Sequence, residues 1–80
     1  MDEPVHRGRI KFWNGNGWGG IESDQVLGDV YVGLASIEMP GYRQLVQGEL
    51  VEFRYEEVVQ DSWRYRATWV RPMRFSNRTP

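Results

Sequence analysis

Residues 11–21 read KFWNGNGWGGI and combine three large aromatic residues with four glycines. At their centre stands Asn16-Gly17, a strong short-range signal for a β-hairpin because both residues of such a turn take positive φ angles. On either side of this turn the side chains alternate in character and show no helical period. The stretch therefore predicts two paired strands, over residues 7–14 and 18–24.

The alternation continues along the rest of the chain and is interrupted by turns. Three further strands are predicted over residues 30–34, 49–58 and 63–71. A turn or a single helical turn is predicted at residues 35–38. Because five short strands must not leave long edges exposed, we expect the sheet to close into a barrel. The prediction is an all-β, five-stranded antiparallel barrel over residues 1–72, followed by a flexible arginine-containing tail over residues 73–80.

The first three predicted strands have two chemically different faces. One face carries the aliphatic residues expected to form the core: Ile10, Ile21, Val30 and Val32. The opposite face carries Trp18 and Tyr31 together with two glycines, Gly20 and Gly33. Since a small barrel has one interior, the aromatic residues of the second face are expected to point to solvent.

Phe12 or Trp13 must join this second face, and a local bulge would place both there. An exposed aromatic cluster beside Lys11 suits the stacking of nucleobases. The pattern leaves a second interpretation open, in which Phe12, Trp13 and Trp18 form a hydrophobic cluster covered by residues 35–47 or by the tail.

Catalysis and metal chemistry receive little support from the sequence. The chain has no cysteine and one histidine, His6, without an obvious partner ligand or orienting group. Residues 15–20 match G-x-G-x-x-G, but a dinucleotide-binding loop requires a following helix, and residues 21–24 predict a strand. Neighbouring carboxylates stand at turns and exposed strand positions rather than in a cleft. We therefore predict no enzymatic activity, no metal and no cofactor.

Location and charge give further expectations. No stretch approaches the roughly 18 apolar residues of a membrane span, and Met1 leads directly into Asp-Glu-Pro, which does not resemble a signal peptide. We therefore expect a cytoplasmic protein without membrane contact. Residues 1–61 hold all eleven acidic and five basic residues, whereas residues 62–80 hold five arginines and no acid. This end of the chain is suited to a polyanion, although an ordinary solvated terminus explains the bias equally well.

The order of motifs resembles the bacterial cold-shock proteins, a family of five-stranded barrels of the oligonucleotide-binding (OB-fold) type. The resemblance covers residues 8–70 and is carried by six segments in the family's order: residues 8–14 (GRIKFWN), 16–21 (NGWGGI), 29–34 (DVYVGL), 41–45 (GYRQL), 48–53 (GELVEF) and 67–70 (ATWV). No single segment is decisive, but their order and spacing are. The resemblance implies a protein that binds single-stranded RNA or DNA and acts as a nucleic-acid chaperone or regulator.

The resemblance also implies a set of binding residues. Lys11 would contact phosphate or a base edge, and stacking would fall to Phe12, Trp18 and Tyr31. The remaining candidates are Trp13 and Tyr42 at the edge of the site, Trp63 near the path of the bases, and Arg66 among the C-terminal arginines as a phosphate contact.

Four residues depart from the family's pattern, and two of them delete an aromatic ring. Gly20 stands where the family has its second platform phenylalanine, and Gly33 stands where it has a histidine, while Asn16 and Leu34 replace a lysine and a phenylalanine. Losing two stacking groups would cost at most roughly 2–6 kcal/mol if nothing compensates. An alternative function therefore remains open, in which the barrel is retained and the aromatic face mediates protein–protein contact or homodimerisation.

Overall fold

The computed structural model describes residues 4–60 and 62–75. The elements are β1 (His6–Asn14), β2 (Trp18–Glu22), β3 (Val30–Gly33), a 3₁₀ turn (Leu34–Ser36), β4 (Leu50–Gln60), β5 (Trp63–Pro72) and a second 3₁₀ turn (Met73–Phe75). Each strand begins and ends within two residues of the sequence prediction. The β1–β2 turn is the predicted Asn-Gly corner, where Gly17 has a φ of 96° and donates its N–H to the Asn14 carbonyl over 2.9 Å.

The five strands form one closed barrel in the order β1-β2-β3-β5-β4. Four of the neighbouring pairs are antiparallel, but β3 pairs with β5 in parallel, with Val30 opposite Tyr65 and Tyr31 opposite Arg66. The prediction of a purely antiparallel barrel is therefore wrong at this seam. The reason is geometric, because five strands in a ring cannot all alternate in direction, and closure forces at least one parallel pair.

The core lies inside the barrel and is built from the aliphatic face identified in the sequence. Within the described part of the chain, eleven hydrophobic residues are buried: Ile10, Ile21, Val26, Val30, Val32, Ile37, Leu45, Val51, Phe53, Ala67 and Val70. Phe53 is the largest fully buried side chain among them. Since these residues fill the interior, the aromatic side chains on the other face of β2 and β3 remain outside it.

A bulge in β1 decides which of its two aromatic residues joins the outer face. The pairing of β1 with β2 shifts between Ile10 and Phe12, so that Ile10 is buried while Phe12 faces outward. Trp13 then points the other way and packs against the core. A bulge was predicted to place both rings outside; the bulge is present, but it brings only Phe12 to the outer face.

The chain after β5 starts with an ordered segment. Met73–Phe75 forms a 3₁₀ turn, and the Arg74 guanidinium stacks on Phe75 and donates to the Glu49 carboxylate over 2.6 Å. The predicted flexible tail of residues 73–80 thus begins with a defined turn, and residues 76–80 lie outside the described residues. None of the helical segments that the structure describes is long and apolar enough to span a membrane.

Candidate functional site

Four aromatic rings meet on the outer surface of the barrel and form a closed cycle, called here the aromatic platform: Phe12, Trp18, Tyr31 and Trp63. Trp18 and Tyr31 stack at 6.0 Å with an interplanar angle of 24°. Phe12 and Trp63 lie 6.3 Å apart at 32°. The two pairs are joined by edge-to-face contacts, Phe12–Trp18 at 5.6 Å and Tyr31–Trp63 at 5.5 Å. These separations lie in the range in which aromatic rings attract one another.

The register in which β1, β2 and β3 pair brings three of the platform rings to the same part of the outer surface. Phe12 of β1 lies opposite Gly20 of β2, and Gly20 lies opposite Tyr31 of β3. Tyr31 in turn pairs with Arg66 of β5, so one row of outward residues crosses four strands. Trp18 shares the outward face of β2 because it precedes Gly20 by two residues. The alternation that buries the aliphatic residues therefore also collects these rings on the outside.

The four rings pack on one another but stay partly exposed. Among the described residues, the one aromatic side chain of the long loop before β4 is Tyr42, which is 82% exposed and makes no ring contact with the platform. The alternative in which residues 35–47 bury Phe12, Trp13 and Trp18 as one cluster is wrong, because Trp13 belongs to the core side and the other rings face solvent. Covering by the tail concerns residues 76–80, outside the described part of the chain.

Trp63 belongs to the platform through its contacts with two of the other rings. It is the first residue of β5, pairs with Gln60 of β4, and reaches rings carried by β1 and β3. β5 pairs with neither β1 nor β2, so the alternation of side chains along a strand could not predict the contact between Trp63 and Phe12. The sequence named Trp63 as lying near the path of the bases but did not predict its contacts with Phe12 and Tyr31, and its role in binding stays a prediction.

Two cations lie beside the platform, and each is held by a carboxylate. The Lys11 ammonium donates to Asp29 over 3.0 Å, and this hydrogen bond, reinforced by the charges of Asp29 and Glu22, raises the pKa of Lys11 above its ordinary value. The Arg66 guanidinium forms two hydrogen bonds with the Glu56 carboxylate, one of them over 3.1 Å from Nε. Both cations are therefore engaged by carboxylates in this structure, Lys11 by Asp29 and Arg66 by Glu56.

The other two predicted site residues are not brought to the platform. Trp13 packs against the core and covers Gly19, where an added Cβ would lie 2.7 Å from Trp13 Cε3. Tyr42 lies in the loop before β4, exposed and without contact to the four rings among the described residues. The predicted site thus divides into six residues at or beside the platform and two outside it.

A second cluster, in which one tryptophan packs with two arginines and a glutamate, lies away from the platform and was not predicted from the sequence. The guanidinium carbons of Arg54 and Arg71 lie 4.8 and 5.7 Å from the centre of the Trp69 ring. Glu38 accepts hydrogen bonds from the Trp69 indole and from Arg71, and these two bonds, in that order, lower the pKa of Glu38. The Glu38 carboxylate thus links the loop before β4 to Trp69 and Arg71 of β5. Within residues 4–60 and 62–75, no group of three or more metal-ligating side chains is arranged to hold an ion.

Comparison with known proteins places this barrel in a family. No model of a known protein family matches the chain. A cold shock-like protein of Thermotoga maritima is 40% identical over 52 residues, which cover 64% of this chain and 77% of that protein. Among solved structures, Drosophila Unr CSD456 matches 96% of this chain with a TM-score of 0.68 and 17% sequence identity. This chain spans 30% of the length of that structure, and at that identity the match shows the fold alone. The identity shared with the Thermotoga protein over more than three quarters of its length shows that the chain belongs to the family of cold shock-like proteins.

Proposed function

We propose that this protein binds single-stranded RNA or DNA by stacking unpaired bases on the aromatic platform. The observation that carries the proposal is the closed cycle of four partly exposed rings on the outside of a barrel whose core is filled separately. A stacked base contributes about 1–3 kcal/mol, and because every base has a flat face, such a platform tolerates many sequences. Membership of the cold shock-like family supports the same ligand class.

The mechanism needs no bond making or breaking. Bases that are captured on Phe12, Trp18 and Tyr31 are withdrawn from pairing, so binding disfavours hairpins in the nucleic acid. Lys11 and Arg66 then contact the phosphates after leaving Asp29 and Glu56. The protein would act in this way as a nucleic-acid chaperone or regulator rather than as an enzyme.

Intrinsic tryptophan fluorescence tests the proposal directly. Titration with a short oligothymidylate at low salt should quench the fluorescence, because Trp18 and Trp63 would stack against bases. Trp18→Ala should raise the dissociation constant roughly fivefold to 150-fold, which corresponds to one stacked base. Trp69→Ala is the matched control, since it removes an indole outside the platform and should leave the affinity nearly unchanged.

Two results would argue against the proposal. Absence of quenching at low salt and high oligonucleotide concentration would refute base stacking. Sedimentation that depends on protein concentration, with Trp18→Ala restoring the monomer, would instead assign the platform to homodimerisation.

A further inference from the structure

Gly20 lies at the centre of the aromatic platform, and space rather than backbone conformation explains why this position holds a glycine. Phe12 and Tyr31 flank it on the neighbouring strands. A Cβ at this position would lie 2.7 Å from Phe12 Cε1 and 3.3 Å from Trp63 Cη2. Gly20 does not have the positive φ found at Gly17, so its backbone would accept a side chain. The rings around it leave no room for a side chain unless Phe12 shifts.

The Trp63 indole also lies over Gly20. This indole comes from the start of β5, a strand that pairs with β3 and β4 and does not touch β2 through hydrogen bonds. It nevertheless lies 6.3 Å from the Phe12 ring and 5.5 Å from the Tyr31 ring, measured between centroids. The room left by the missing side chain of β2 is thus occupied by a ring delivered from the β4–β5 hairpin.

We propose that Trp63 is the central stacking residue of this platform and that Gly20 is the residue that admits it, so that the two positions act as one unit. The inference rests on the proposed function, because it assigns a role within the same interface. It follows that affinity for single-stranded nucleic acid depends on a ring carried by a hairpin. Without Trp63, no ring would cover Gly20, which lies between Phe12 and Tyr31.

A cycle of four variants tests the unit: the natural chain, Trp63→Ala, Gly20→Phe and the double variant. Trp63→Ala should weaken oligothymidylate binding roughly fivefold to 150-fold. Gly20→Phe alone should weaken binding as well, because the new ring and Trp63 compete for one space. In the double variant the indole is absent and the Phe12 edge can swing aside, so the phenylalanine at position 20 should restore most of the affinity that Trp63→Ala loses.

The packing itself has a readout that does not involve nucleic acid. The Gly20 α-protons lie against the rings, so their proton NMR shifts should move markedly on Trp63→Ala and little on the control Trp69→Ala. If Gly20→Phe prevents folding, the Trp63→Ala affinity and the Gly20 proton shifts, neither of which needs a side chain at position 20, still decide whether the Trp63 indole stacks bases above Gly20.

The outcomes separate this inference from the proposed function. If the natural chain binds and Trp63→Ala binds equally well, the inference is refuted while the proposed function stands. If the natural chain does not bind at all, both are refuted. If the double variant binds no better than Trp63→Ala, the two positions do not form one unit.

Discussion

Replacing Glu56 with glutamine should strengthen the binding of single-stranded nucleic acid. Arg66 lies beside Tyr31 in the row of outward residues, and its guanidinium is held by the Glu56 carboxylate. To reach a phosphate, Arg66 must leave this partner, and Glu56 is then left facing a second negative charge. Glu56→Gln removes both obstacles while it keeps the size of the side chain.

The expected gain follows from the exposure of the pair. The side chains of Arg66 and Glu56 are 47% and 44% exposed, so the ion pair is a surface pair worth about 0.2–1 kcal/mol. A carboxylate about 5 Å from an incoming phosphate adds a repulsion of about 0.8 kcal/mol at the dielectric constant of water. Removing both terms predicts a gain of about 1–2 kcal/mol, or roughly fivefold to thirtyfold in affinity at low salt.

The assay is fluorescence titration with oligothymidylate at several salt concentrations. Each phosphate neutralised on a single strand adds about 0.7 to the slope of log affinity against log salt. In the natural chain the freed Glu56 attracts a cation, which offsets part of the counterion release caused by Arg66. Glu56→Gln should therefore steepen the slope by up to about 0.7.

Glu57→Gln is the matched control, because it changes the net charge equally one residue further along and breaks no ion pair with Arg66. Equal affinity of the two variants would show that only net charge matters. An unchanged slope in Glu56→Gln, or a gain that survives Arg66→Ala, would refute the assignment of Arg66 as a phosphate contact.

Two further predictions concern stability and ionisation. Gly8→Ala should lower the free energy of unfolding, measured by chemical denaturation, by about 1–3 kcal/mol, because the added Cβ would lie 2.5 Å from the Glu22 carbonyl oxygen. Gly15→Ala is the control, since a Cβ there would have nothing within 4 Å and should have little effect. Equal losses of stability in the two variants would refute this reasoning. Trp69→Phe should raise the pKa of Glu38 toward its ordinary value of 4.5 in an NMR titration, since the indole hydrogen bond is the main cause of the lowered pKa. Because a lowered pKa stabilises the fold fully above 4.5 and less as the pH falls through the folded value, the natural chain should lose more stability below that pH than Trp69→Phe; identical titration of Glu38 in both chains would contradict this.

The parts of the fold that depend on neighbours in the chain were predictable from the sequence. Alternation identified the five strands, and the Asn16-Gly17 corner identified the first hairpin. The parallel seam between β3 and β5 leaves no mark in alternation, because a strand buries the same face whichever way its partner runs. The position of Trp13 was missed because a one-residue bulge reverses every later side chain of β1.

The site was less predictable because its decisive contacts join residues far apart in the chain. Phe12, Trp18 and Tyr31 could be placed on one face since their strands are consecutive. Trp63 reaches the same surface only through barrel closure. The carboxylate partners of the two cations are separated from them by 18 and 10 residues, and neither spacing is a recognisable motif.

These long-range contacts change what the two aromatic deletions mean for binding. Position 20 of β2 carries no ring, but the Trp63 indole lies over it, so we expect its packing to offset part of the affinity loss that the sequence predicts. The ion pairs should lower the affinity, because Lys11 and Arg66 are each bound by a carboxylate before any ligand arrives. Stacking should therefore supply most of the affinity and phosphate contacts a smaller share. We therefore expect binding of unpaired bases to depend only modestly on salt, and we expect Glu56→Gln to increase that dependence.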